Sequence, residues 1–208
     1  MDKKLDAFNN QKIKVPFVVP TINSSDKKEI MYALSSNLLT DGPNLRKFEK
    51  NFSRFTKSAF SVGVSNATSA LILSLKSLGI SKNDEVIIPD MTFVATANAV
   101  LSCGATPILA DVNYDDLNIS INSIEENITK KTKAIIPVHF AGKSCNMRKI
   151  MAVAKKNNLK IIEDCAHSLG TYFEKQHVGT FGDTGCFSFY PTKNLTTFEG
   201  GMITCKSK

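Results

Sequence analysis

The sequence predicts an α/β protein built on a mostly parallel sheet, and three observations carry that reading. Seven short apolar runs are spaced along the chain, several of them apolar nearly throughout, as parallel strands buried on both faces are. Helical segments lie between the first five, and strand–helix–strand alternation gives right-handed crossovers and a parallel sheet. The 208 residues are 42% hydrophobic and carry no low-complexity tract, so they can bury one sizeable core.

Upstream of the first strand, Leu45, Phe48, Phe52 and Phe55 recur at helical spacing in NLRKFEKNFSRFTK, which predicts a helix packed on the core through that face. The strands are then expected at 60–64 (FSVGV), 85–89 (EVIIP), 106–111 (TPILAD), 133–140 (KAIIPVHF), 159–164 (LKIIED), 185–189 (GCFSF) and 202–205 (MITC). Residues 67–78 are apolar on most faces and predict a deeply packed helix, whereas 147–156 read as amphipathic. Shorter helices are expected at 93–102 and 122–129. After residue 164 the alternation stops, because HSLGTYFEKQHVGTFGD is too rich in glycine and too irregular for a crossover helix. This divides the chain into an N-terminal segment, 1–40, and one domain, 41–208.

Several classes are disfavoured. No apolar run approaches the roughly 18 to 20 residues that span a bilayer. The opening MDKKLDAFNNQKIKVPF is polar and has no apolar leader core, so a cytoplasmic protein without membrane partners is expected. The five cysteines are widely spaced with no C-x-x-C pair, and the three histidines are scattered. They predict reduced core thiols and no metal site. The net charge of +7 is spread over the chain. It suggests a mild pull on anionic ligands and no nucleic-acid partner, since no basic stripe carries interleaved aromatics.

In open α/β sheets ligands bind at the carboxyl ends of the strands, so the residues just after each strand are the candidates. SNAT opens a helix, where the amides of Ala67 and Thr68 either hold a phosphate or reflect ordinary capping chemistry. There is no Walker A loop and no dinucleotide fingerprint. Asp164 ends an apolar strand, as an N-cap or as a carboxylate holding a positive charge. Phe93 is either core or a flat surface for an aromatic ring. Lys193 follows GCFSFYPT and is either a solvated charge or a reactive amine. Together the pieces fit pyridoxal 5′-phosphate (PLP), which needs an amine for a Schiff base, a carboxylate for its ring nitrogen, a phosphate cradle and a stacking surface. Lys193, Asp164, the 66–68 turn with Ser188, and Phe93 supply one of each.

The blocks LLTDGPNLRKFEKNF, NDEVIIPDMTFVATANAVLSCGATPILADV, TKAIIPVHFAGKSCNM, IIEDCAHSLG and CFSFYPTKNLTTFEGGMI, with VPFVVPTI before them, resemble the DegT/DnrJ/StrS family of sugar aminotransferases in family order. The resemblance implies a type I aminotransferase large domain, three layers α/β/α around a mostly parallel seven-stranded sheet. It implies that Lys193 is the Schiff-base lysine, that Asp164 partners the ring nitrogen, and that Phe93 stacks on the ring. Ser188 would join Ala67 and Thr68 at the phosphate, with His167 beside the phenolic oxygen. His139 and His177 receive no role. Ala67 stands where the family usually has glycine. Lysine at 193 favours transamination over the family's dehydratase branch, which has histidine there. EDCAHSLGTYFEKQHVG is most similar to members acting at C4 of UDP-linked keto sugars. The implied partners are a nucleotide sugar, an amino-acid donor such as glutamate, and a second copy in a homodimer. Family members run to roughly twice this length, so only the large domain is expected here, with the C-terminal small domain absent. The alternative reading is a silent fragment, or half of a split enzyme, that binds PLP weakly.

Overall fold

The computed structural model describes residues 18–206, so the polar MDKKLDAFNNQKIKVPF stretch lies outside the described residues. The elements run α1 (Ser24–Leu34), α2 (Pro43–Thr56), β1 (Phe60–Val64), α3 (Ala67–Ser77), β2 (Glu85–Pro89), α4 (Ala95–Ser102) and β3 (Thr106–Ala110). They continue with α5 (Ile121–Glu126), β4 (Thr132–Ile135), α6 (Met147–Asn157), β5 (Lys160–Asp164), β6 (Tyr172–Phe173), β7 (Gln176–His177), β8 (Thr184–Ser188) and β9 (Gly201–Cys205). Seven strands form one sheet in the order β1-β9-β8-β5-β4-β2-β3. Only β9 runs against its neighbours, antiparallel to both β1 and β8, so the sheet is mostly parallel as predicted.

The layers follow from alternation along the strands. In β2, Val86 and Ile88 face one core with Leu71, Leu75 and Val100 from α3 and α4. Ile87 faces the opposite core with Ile124, Met147 and Ile150 from α5 and α6. A sheet buried on both faces between helices is the three-layer α/β/α arrangement. A third cluster, Phe52, Phe187, Phe189 and Met202, seats α2 on the sheet beside β8 and β9.

Some elements depart from expectation. The 133–140 run is a ladder only to Ile135, because Pro137 has no amide to donate. The chain nevertheless stays against β5: Asp164 N–H donates to Pro137 O at 2.9 Å and His139 N–H to Asp164 O at 3.1 Å. Helix α3 is buried along Ala70, Leu71, Ser74 and Leu75 but leaves Leu73 half exposed, so it is packed on one face rather than all round. Phe55 is half exposed and meets His177 edge-on at 5.5 Å instead of entering the core. His177 is itself buried. Its Nε2 accepts from Gly170 N–H at 3.0 Å while Tyr172 and Phe187 flank the ring. The glycine-rich stretch after β5 forms the β6–β7 hairpin, not a helix. Helix α1, which the sequence reading did not foresee, has a capping box between Asn23 and Asp26 and buries none of its residues.

A polar hub sits on the side of β5 away from Asp164. Glu163 is fully buried, and its carboxylate accepts from the amides of Gly179 (2.7 Å), Phe181 (2.8 Å) and Gly182 (2.8 Å). His139 Nε2 lies 3.1 Å from the same carboxylate. Cys145 N–H donates to His139 Nδ1 at 3.1 Å, which leaves the ring proton on Nε2, donated to Glu163. Cys165 is nearby, and the donor atoms of His139, Glu163 and Cys165 lie within 4.8 Å of one another. The histidine nitrogens and both carboxylate oxygens are already engaged in hydrogen bonds, so the cluster works as a clasp between β5 and the 179–182 turn. Cys145, Cys165 and Cys186 are buried, and burial pushes each thiol up.

Candidate active site

A cavity of about 750 Å³ opens at the carboxyl edge of the parallel strands. Its lining includes all seven residues singled out from the sequence: Ala67, Thr68, Phe93, Asp164, His167, Ser188 and Lys193.

One end of the cavity is the amino terminus of α3. Asn66 caps α3 through its side chain, which accepts from Ser69 N–H at 2.8 Å. Among the described residues no acceptor takes the amides of Ala67 and Thr68, so they remain available at the positive end of an 11-residue helix. Strand β9 brings Ser188 to this place, because Gly201 pairs with Val64 on one side and Ser188 on the other. Gly201 has to be glycine for space: a Cβ there would stand 2.5 Å from Asn66 C and 2.9 Å from Ala67 N. Gly201→Ala is therefore expected to push β9 away from the start of α3. It should cost about 1–3 kcal/mol in urea unfolding, as overpacking does, and weaken protection by added phosphate. Unchanged unfolding would mean that the close approach is unimportant.

At the centre lies Asp164, almost fully buried at 6% exposure. Ala166 N–H donates to its Oδ1 at 3.1 Å and Thr96 Oγ1 to its Oδ2 at 3.1 Å. Asp164 ties a local turn and also faces the cavity. Burial pushes its carboxyl up, opposed by those two hydrogen bonds and by His167 and His139. Such a group gains most from a cation placed against it.

Lys193 sits on the loop leaving β8. Its N–H donates to Tyr190 O at 2.9 Å, and the loop is closed at its base by Phe189, which exchanges backbone bonds with Gly200 and Thr197. The amine is only partly exposed, and burial pulls it down while Asp164 opposes that shift. A lowered amine has more of the unprotonated form needed for attack on a carbonyl carbon. His167 is pulled down by burial and by Lys193, against Asp164, and its ring meets Phe140 at 6.2 Å. Phe93 is 73% exposed at the cavity wall, so it is a surface and not core.

The donor set matches what PLP requires: free helix amides and a hydroxyl for a phosphate, a buried carboxylate for a ring cation, a lowered amine, and a flat aromatic face. Two residues at the centre went unrecognised in the sequence, Thr92 and Thr96. A pair of threonines four apart at a helix start reads as capping chemistry, and only the fold reveals that one of them touches Asp164.

Comparison with known proteins bears on the same region. The spore coat polysaccharide biosynthesis protein SpsC of Bacillus subtilis is 43% identical over 190 residues, 91% of this chain and 49% of that protein. GDP-perosamine synthase of Escherichia coli O157:H7 is 41% identical over 195 residues, 93% of this chain and 54% of that one. A Streptococcus pneumoniae protein solved in a PLP form superposes with a TM-score of 0.90 at 34% identity, covering 93% of this chain and 53% of the other. The chain thus spans about half the length of the curated relatives it matches. Residues 20–208 match one family throughout, and the chain belongs to the DegT/DnrJ/EryC1/StrS aminotransferase family.

Proposed function

We propose that this chain carries the PLP-binding site of an aminotransferase that moves an amino group, from a donor such as glutamate, to a keto group of a nucleotide-linked sugar. The observation that carries the reading is Lys193 and Asp164 facing one cavity whose far end is the amino terminus of α3. The likeness to a GDP-perosamine synthase supports the nucleotide-sugar class. In this reading residues 41–208 are the PLP-binding large domain, residues 1–40 are a separate N-terminal segment, and the working form is a cytoplasmic homodimer.

When bound, PLP supplies a protonated aromatic ring that takes up the electron pair left on the donor's Cα. The rest is work for the residues of this chain. The amides of Ala67 and Thr68, with the hydroxyls of Thr68 and Ser188, hold the phosphate. Phe93 covers one face of the ring. Asp164 keeps the ring nitrogen protonated, and His167 donates to the phenolic oxygen. Lys193 would hold the cofactor through Nζ, and its amine, when free, would serve as the base that moves the proton at the donor's Cα.

The test is to load the protein with PLP, reduce it with borohydride and map the peptides. The pyridoxyl group is expected on Lys193 as a stable secondary amine. Label on a different lysine, or none at saturating PLP, would remove the basis of the proposal.

A further inference from the structure

We propose that Thr96, backed by Thr92, is the positioning residue of this site: its hydroxyl holds the Asp164 carboxylate in one orientation and leaves the remaining lone pairs for a cation in the cavity. Thr96 is completely buried, on the first turn of α4. Its Oγ1 lies 3.1 Å from Asp164 Oδ2 and 2.8 Å from Thr92 Oγ1. An ionised carboxylate only accepts, so Thr96 donates its single proton to Asp164. With that proton committed, the Thr92–Thr96 bond has Thr92 Oγ1 donating to Thr96 Oγ1. The direction of both bonds is fixed by the charge on Asp164, and each polarises the other.

The arrangement complements Ala166 N–H, which takes the other oxygen at 3.1 Å. One bond on each oxygen defines the carboxylate plane and leaves one acceptor site per oxygen free. The same turn sets the cavity wall, since Thr96 N–H donates to Phe93 O at 3.0 Å. The other titratable groups near Asp164 are His139 beside β5, His167 after it, Lys193 from the 190–200 loop, and the thiols of Cys165 and Cys186. None of them has a recorded hydrogen bond to the Asp164 side chain. A merely structural Thr96 would need only its methyl and its volume, whereas a positioning Thr96 needs its hydroxyl.

The meaning of this inference rests on the proposed cofactor reading, but its test does not require the cofactor. The Asp164 carboxyl carbon is followed by NMR across pH in the cofactor-free parent, Thr96→Val, Thr96→Ser and Thr92→Val. Thr96→Val is expected to raise the Asp164 midpoint, Thr92→Val to raise it less, and Thr96→Ser to restore it. In a second arm, PLP binding should weaken about tenfold in Thr96→Val, the loss of one hydrogen bond to a charged group, and recover in Thr96→Ser. If Thr96→Val does not fold, Thr92→Val decides. An unmoved midpoint in the valine variants, or a serine variant no better than valine, overturns the proposal. Shifted midpoints without PLP attached at Lys193 would uphold the positioning role and sink the cofactor reading instead.

Discussion

Asp164→Asn is expected to yield a folded protein in which the proposed amino-group transfer is slowed by on the order of 10²–10³-fold, the cost of removing one charge-stabilising group from an active site. The side chain keeps its shape, and an amide oxygen can still accept from Ala166 N–H or Thr96. What is lost is the negative charge, without which the cofactor's ring nitrogen does not stay protonated. Stability should move the other way. Burial raises the Asp164 carboxyl in the folded protein, so the folded state binds the proton more tightly than the unfolded one. The cofactor-free parent therefore loses stability as pH climbs from the ordinary carboxylate range through the raised value, and the deficit persists above it. Asparagine has no such titration. Urea unfolding at a series of pH values should show the variant gaining on its parent as pH rises, beginning near pH 4. A variant that transfers as fast as its parent, or that falls behind it in stability as pH rises, would refute the role given to Asp164.

Glu163→Ala, one residue earlier, should show the reverse pattern: loss of the fold rather than of the chemistry. Three amides and a histidine N–H converge on the fully buried Glu163 carboxylate. Removing it leaves all four donors without their acceptor. Each orphaned group costs about 1–3 kcal/mol when it cannot find a new partner. That is a large share of the 5–15 kcal/mol that holds an ordinary domain together. Glu163→Gln should cost less, because its oxygen still serves Phe181 and Gly182 while its NH₂ confronts Gly179 N–H. Denaturant midpoints for the three proteins check the order parent, Gln, Ala. A loss below about 1 kcal/mol for the alanine variant would show that the hub is dispensable.

These neighbours also mark what the sequence could reveal. Strands β2, β4, β5 and β8 were legible because burial on both faces leaves a continuous apolar run. Asp164 was legible because it breaks such a run at the edge where ligands bind. Glu163 breaks the same run one residue earlier, yet its partners, 16 to 19 residues away in an irregular turn, have no periodic signature. Thr92 and Thr96 were hidden for a related reason. A hydroxyl announces a hydrogen bond but not whether its partner is its own helix or a carboxylate 68 residues on. Helix α1 had a readable start in Asn23 and Asp26, but no apolar stripe, and it buries none of its residues. Phe55 misled because helical spacing locates a face without saying where on that face the core ends.

The insertion of β9 between β1 and β8 has a consequence in time. Strand β1 leaves the ribosome early, but its sheet partner is the last of the described elements, so β1 waits unpaired while nearly the whole domain is synthesised. Such distant pairings form late and slowly, after the local β–α–β units have closed. The cavity's end inherits that schedule: α3 and Ser188, on β8 beside β5, are in place first, while Gly201 arrives only when β9 slots in. A phosphate-bearing ligand added during refolding can hold the finished sheet together, but it cannot hasten the step that finishes it.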